Sequence, residues 1–385
     1  MQLPSSVLPQ WAQNTARHLL HAYWSRDPLW RHLTNRSTQR VPFDTAFPSA
    51  EKWNVRAAYP VATPGVPSMP LIPEAAHLDA TAYIVPEDFV AAIPDGLFAA
   101  SNSVVLSPNR HIVDESSTAA GLQYFIKREL TAQPRRLDGM AAPLRSRFHN
   151  FYHWIIDCMP RLCALAASPW SGNRPIRLLA TSPPTALEQV FLDRFPPGTF
   201  TVEVVSRRSV YRVETLLFTP LKTQRLAGYL PAPYVEALRG MMAPKRPRTH
   251  ARRLYVSRAD AEYRKVANED DLVAMLHDYG FEAVTLADRP LDEQAALFYD
   301  AEAVIAPHGA GLTNLVYADA AFVLELFPDP RVTPHYVFLC KSLGHRYRYL
   351  AGPAPTLNPP SFVVDLGAVR TAVERWDRAL PQTAS

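Results

Sequence analysis

The chain has 385 residues, 48% hydrophobic, 20% charged and 10% aromatic, with a formal net charge of +4. This is the composition of a soluble globular protein, at a length that predicts two domains rather than one core. No uninterrupted apolar run of about 18 residues suggests a transmembrane helix. The three cysteines, Cys158, Cys163 and Cys340, are too few and too unevenly spaced for a disulfide framework or a zinc site.

The first residues lack a basic segment followed by an apolar stretch, so no secretory signal is expected. Residues 1–80 read as an irregular extension: some helical periodicity over 11–33, then proline-rich turns. Strands are expected at 82–85, 103–106 and 111–114, the last two forming a hairpin around Ser107-Pro108-Asn109-Arg110. A helix over 151–167 follows. Then come a strand (176–180), a helix (185–195), strands near 202–205 and 215–219, and a helix over 233–242. Residues 81–245 thus read as one α/β domain. The basic, proline-containing run KRPRTHARR (245–253) reads as a solvated linker. Beyond it, 246–385, the alternation is regular: strands at 254–256, 281–286, 303–306 and 322–327, with helices between. Asn268 is expected to cap the helix ending near Tyr279, and Gly280 to close it. Short crossovers of this kind make a parallel sheet with helices on both faces, whose ligands sit at the carboxyl ends of the strands.

Two segments carry chemistry. AVIAPHGAGLTN (303–314) reads as a buried strand, a small-residue turn and a helix start. Free N–H groups and the helix dipole make such a start an anion site. Arg258, after the strand 254–256, can fork onto a diphosphate. His308 and the backbone of Gly309, Ala310 and Gly311 can cover further oxygens, with Thr313 or Asn314 against the same group. Glu325 can accept from ribose hydroxyls. Taken singly, Arg258 can instead pair with Asp260 or Glu262, and His308 and Glu325 can serve structure. The absence of G-x-G-x-x-G and of G-x-x-x-x-G-K-[ST] argues against a dinucleotide enzyme and a P-loop.

In FHNFYHWIIDCMPRL (148–162), a helix starting after Asn150 as cap puts His153 and Asp157 at i and i+4, with Arg161 on the same stripe. That is a general base with an orienting partner, or else a surface Asp157–Arg161 salt bridge beside a packed His153. Pro160 either kinks this helix or lies in the first turn of a second one capped by Asp157.

Together these motifs resemble glycosyltransferase family 61, also termed domain of unknown function 563, in its bacterial capsular-polysaccharide type. The residues that match are Asn150-Phe151-Tyr152-His153-Trp154, Asp157 and Pro160-Arg161-Leu162. Further on they are Arg253-Leu254-Tyr255-Val256-Ser257-Arg258, Arg264, Asn268-Glu269, Gly280-Phe281, Glu293-Gln294 and Ala306 through Asn314. The resemblance implies a GT-B-like α/β fold, two Rossmann-like domains facing across a cleft. It implies an inverting, metal-independent transfer of sugar from a nucleotide-diphosphate donor, with a UDP-sugar favoured, to a hydroxyl of a glycan or lipid-linked glycan in surface polysaccharide synthesis. Arg258, His308, Gly309, Ala310, Gly311 and Asn314 become donor contacts, Glu325 a ribose contact, and Asp157, ahead of His153, the base. Asn150, Trp154 and Arg161 are acceptor-side or structural. No cofactor and no metal are expected; Asp329, between two prolines, has no second acid to make a D-x-D. A cytoplasmic protein, peripheral to an anionic inner membrane face and not binding nucleic acid, would fit. The alternatives are a non-catalytic nucleotide-sugar-binding protein and a GT-B-like nucleotide-sugar hydrolase or epimerase.

Overall fold

The computed structural model describes residues 40–62, 82–116, 133–148, 150–172, 174–221, 228–329, 333–354 and 361–379. The helical periodicity over 11–33 lies outside them. Strands β1 (Arg40–Val41), β2 (Glu51–Arg56) and β3 (Tyr59–Ala62) fall in the stretch read as irregular. Their short, turn-flanked sequences carry little alternation of their own. β3 pairs with β4 (Ala82–Val85) as a separate antiparallel ribbon.

The first sheet has nine strands. β5 (Asp88–Ala99) is its spine, antiparallel to β2, to β6 (Val104–Leu106) and to β11 (Val210–Phe218). The expected hairpin is present: β6 pairs antiparallel with β7 (Ile112–Val113), and β1 closes that edge. On the other side β11, β8 (Arg135–Pro143), β9 (Ile176–Ala180) and β10 (Phe200–Val204) run parallel. This sheet is therefore Rossmann-like only in its parallel half. β5 hides in the sequence because Pro94, Asp95 (φ 50°) and Gly96 interrupt its apolar run. Gly96 is required by space: a Cβ there would lie 2.5 Å from Leu216 Cβ on the paired strand.

The second sheet is wholly parallel, in the order β14 (Phe281–Val284), β12 (Arg252–Val256), β15 (Ala301–Pro307), β16 (Phe322–Asp329), β17 (Arg346–Pro353). A short β13 (Lys265–Val266) pairs with β18 (Ser361–Phe362) beside it. The strand order reverses between β12 and β15, the switch point at which doubly wound sheets open a crevice. β17 is a fifth strand that the sequence pattern did not announce.

Residues 151–167 form one continuous helix, α1, and α2 (Ala186–Leu192) is opened by a Thr185–Glu188 capping box. Next come α3 (Ala232–Met242), α4 (Glu269–His277), α5 (Leu291–Tyr299), a 3₁₀ turn (Ala310–Tyr317), α6 (His335–Leu343) and α7 (Leu366–Arg378). The Asn268 side chain does not cap α4; it exchanges hydrogen bonds with the backbone of Val364. The run 245–253 is the irregular, largely exposed connection that the sequence suggests up to β12, but several of its arginines are anchored. Arg246 grips Asp300, Arg248 donates to the carbonyls of Tyr299 and Tyr317, and Arg253 pairs with Glu302 and Asp377. One apolar cluster runs from α1 and β9 through α3 to β12, β15 and the 3₁₀ turn, so the two sheets share a core. No helix among the described residues is long and apolar enough to cross a membrane.

Candidate active site

α1 begins where Asn150 Oδ1 accepts from the His153 N–H, 3.0 Å away. This cap satisfies a donor the helix would leave open and fixes the backbone of His153. Pro160 has no N–H, so an i−4 bond cannot form there. The chain absorbs this by widening residues Trp154–Cys158 into a π turn, with the Met159 N–H reaching back to the Trp154 carbonyl. Pro160 then lies in the first turn of the α-helical stretch Met159–Ala167, which follows Cys158 rather than a cap by Asp157. Such π turns recur at functional sites.

His153 Nδ1 lies 2.6 Å from Asp157 Oδ2. The Asp157 side chain is 0% exposed, whereas that of His153 is 17% exposed. Asp157 is thus enclosed behind the imidazole and orients it, leaving Nε2 as the nitrogen that can reach outward. The ring stacks on Phe148 at 4.6 Å. A surface Asp157–Arg161 bridge is not what forms. Arg161 is buried and donates to Thr219 Oγ1 and the Pro143 carbonyl, tying α1 to the ends of β8 and β11. Trp154 is buried in the shared core.

At the carboxyl ends of β12 and β15, Arg258 and Gly309 meet. A Cβ on Gly309 would stand 2.0 Å from Arg258 Nη1, so the guanidinium occupies the space that glycine leaves. Arg258 Nε and Nη2 donate to the Tyr263 carbonyl, at 3.3 and 3.1 Å, not to Asp260 or Glu262. Gly311 lets the turn close on Leu286. The 3₁₀ turn is shorter and tighter than the expected α-helix, yet its first N–H groups, at Ala310 and Gly311, still lack intrahelical partners. Thr313 and Asn314 do not face this opening. Thr313 is buried against Tyr336, and Asn314 Nδ2 donates to Gln294 Oε1 and the Gly311 carbonyl at 3.1 Å. Gln294 in turn donates to the carbonyls of Leu286 and Arg289, so this pair fastens the loop after β14 to the turn. Asn314 Nδ2 is thereby committed to the turn and to α5.

Glu325 lies deeper than a strand-end acid would. It is 0% exposed, with Oε1 2.5 Å from His308 Nδ1 and Oε2 accepting from Tyr347 Oη at 2.6 Å. Each oxygen thus has a protein partner within hydrogen-bond distance. Burial pushes its carboxyl up to about 8, against the opposing Tyr347 hydrogen bond and the Arg264 charge. A protonated Glu325 donates to Nδ1, which fixes His308 with its N–H on Nε2, 3.2 Å from Thr333 Oγ1. A carboxyl raised in the folded state stabilises the fold below its unfolded value of 4.5 and loses that contribution as pH rises through about 8. Between pH 6 and 9 the wild type should therefore lose stability more steeply than Glu325→Gln, followed as Tm across that range. An equal slope would contradict the assignment.

The two segments, read separately in the sequence, meet. Tyr152 contacts His153 edge-on at 5.1 Å and stacks on His335 at 5.1 Å. His335 lies 5.8 Å from His308, and Tyr336, whose hydroxyl donates to the Gly309 carbonyl at 2.7 Å, packs on both Tyr152 and His308. The Tyr152 hydroxyl is buried and has no hydrogen-bond partner among the described residues. Tyr152, His335, Tyr336 and Tyr347 were not singled out as site residues. Only adjacency to His153 pointed to Tyr152, and nothing local pointed to the others.

Residues 151–324 match the Glycosyltransferase 61 family, a span that starts at the first residue of α1 and ends within β16. Over 110 residues the chain is 36% identical to the EGF domain-specific O-linked N-acetylglucosamine transferase of Drosophila melanogaster, covering 27% of this chain and 20% of that one. Over 164 residues it is 32% identical to the Beta-1,2-xylosyltransferase XAX1 of Oryza sativa subsp. japonica, covering 38% and 28%. The chain thus matches less than a third of the length of either relative. The matched span holds both His153–Asp157 and Arg258 with His308–Gly311.

Proposed function

We propose that this protein is a glycosyltransferase that moves a sugar, with inversion and without a metal ion, from a nucleotide-diphosphate donor to a glycan or lipid-linked glycan hydroxyl. The observation that carries this reading is the meeting of the His153–Asp157 pair with the Arg258–Gly309 crevice through Tyr152, His335 and Tyr336. The family match and both transferase relatives support it, and a GT-B-like arrangement with the donor at the second sheet fits the crevice at its switch point. The resemblance favours a UDP-sugar and a role in surface polysaccharide synthesis.

In this mechanism His153 Nε2 takes the proton of the acceptor hydroxyl as its oxygen attacks the anomeric carbon from the face opposite the nucleotide. Asp157 holds the ring and offsets the charge it gains. The bond from the anomeric carbon to the diphosphate breaks, and the departing charge falls on Arg258 and the N–H groups of Ala310 and Gly311. The sequence assigned the base to Asp157 ahead of His153; its full burial favours His153.

Calorimetry against nucleoside diphosphates and nucleotide sugars, with and without EDTA, tests the donor pocket. Binding of one nucleotide class that EDTA leaves unchanged is the expected outcome. Binding that EDTA abolishes would overturn metal independence, and no binding at all would overturn the donor site.

A further inference from the structure

We propose that the groove between β17 and α7 is a docking site for an anionic lipid bilayer, arginines on the headgroup phosphates and an acyl chain on the apolar floor. The groove measures about 700 Å³ and lies against the outer strand of the second sheet. Its apolar floor is Leu350, Ala368, Ala372 and Ala379, laid over buried Phe322, Leu324 and Trp376, with the Phe322 and Trp376 rings stacked at 5.1 Å. Arg346 and Arg348 stand opposite Phe322 and Leu324 in the strand register, and so project from the same face of the sheet. Arg375 enters from α7. All three are exposed, and none has an ion-pair or side-chain hydrogen-bond partner among the described residues.

The carboxylates of α7 are turned elsewhere. Glu374 accepts from Tyr279 Oη and pairs with Arg378, while Asp377 pairs with Arg253. No carboxylate lines the groove. Cations without acids around an apolar trough complement an amphiphile with an anionic head. A sugar or an acidic peptide would leave the apolar floor unused. The run 245–253, the obvious basic candidate in the sequence, is unsuited to this role because its arginines are engaged by Asp300, Glu302 and backbone carbonyls.

Flotation of the full chain with vesicles tests this directly. Vesicles of phosphatidylglycerol mixed into phosphatidylcholine should carry the protein up, phosphatidylcholine alone should not, and retention should fall with added salt. The triple variant R346Q/R348Q/R375Q should partition roughly a hundredfold more weakly. The variant R194Q/R207Q/R208Q removes the same charge from exposed arginines of the other half and should partition as the wild type does. Ala372→Phe, which fills the groove and keeps every charge, should also weaken retention. Equal loss in both triple variants would show attraction by net charge alone and overturn the site. Unchanged partition of R346Q/R348Q/R375Q, or no flotation of the wild type, would do so as well. Nucleotide binding, measured on the same variants, should not change, which keeps this test separate from that of the transferase reading.

Discussion

His153→Ala should lower the turnover of sugar transfer by roughly 10²–10⁴-fold while leaving nucleotide affinity as it is. The reasoning rests on where the two members of the pair sit. Asp157 has no exposed surface and spends one oxygen on His153 Nδ1 at 2.6 Å, so an acceptor hydroxyl can meet the imidazole but not the carboxylate. Asp157→Asn should also be slow, for a different reason. An amide can present N–H to Nδ1, which would turn the proton-bearing nitrogen outward and leave no acceptor for the hydroxyl proton. Asn150→Ala should be milder, because it removes a helix cap worth about 1 kcal/mol and not the reacting group. Steady-state rates of the three variants, with nucleotide affinity measured on each, check the order. Full turnover in His153→Ala would remove the base.

Arg258→Ala should weaken nucleotide-diphosphate binding by about 1.5–3 kcal/mol, roughly 10- to 150-fold, since it deletes a charged donor at the crevice. Gly309→Ala should weaken it similarly with Arg258 still present. Its φ of −178° suits any residue, so backbone strain is no part of the effect. The added methyl meets Nη1 at 2.0 Å, and Nη1 ends a flexible side chain that can swing away. The fold should survive with Tm nearly unchanged, and the guanidinium should leave the crevice. Calorimetric titration beside a thermal melt separates these effects. Loss of folding in Gly309→Ala, or undiminished affinity in Arg258→Ala, would contradict the geometry.

Much of this arrangement is written locally in the chain. The strands 82–85 and 176–180 match to the residue, because short β-branched or aliphatic runs bounded by turn residues declare themselves. Asn150 as cap and His153 with Asp157 at i and i+4 follow from helical spacing alone. What escaped depends on partners far away in sequence. Glu325 reads as a strand-end acid until His308 and Tyr347 are seen to occupy both its oxygens. Asn268 reads as a cap until Val364, 96 residues on, claims it. The basic run is largely exposed as read, but the anchoring of Arg246 and Arg253 is hidden because Asp300, Glu302 and Asp377 are distant. β5 and β8 were missed for a local reason: Gly96 and Gly139 break an alternation that pairing with β11 restores.

The most direct measurement is release of nucleoside diphosphate from the bound nucleotide sugar, followed with and without an added glycan acceptor. The account predicts release that depends on the acceptor, with sugar appearing on the glycan and both lost in His153→Ala. Release at the same rate without acceptor would mark a hydrolase, and binding without release would mark a carrier of nucleotide sugars; either would contradict transfer.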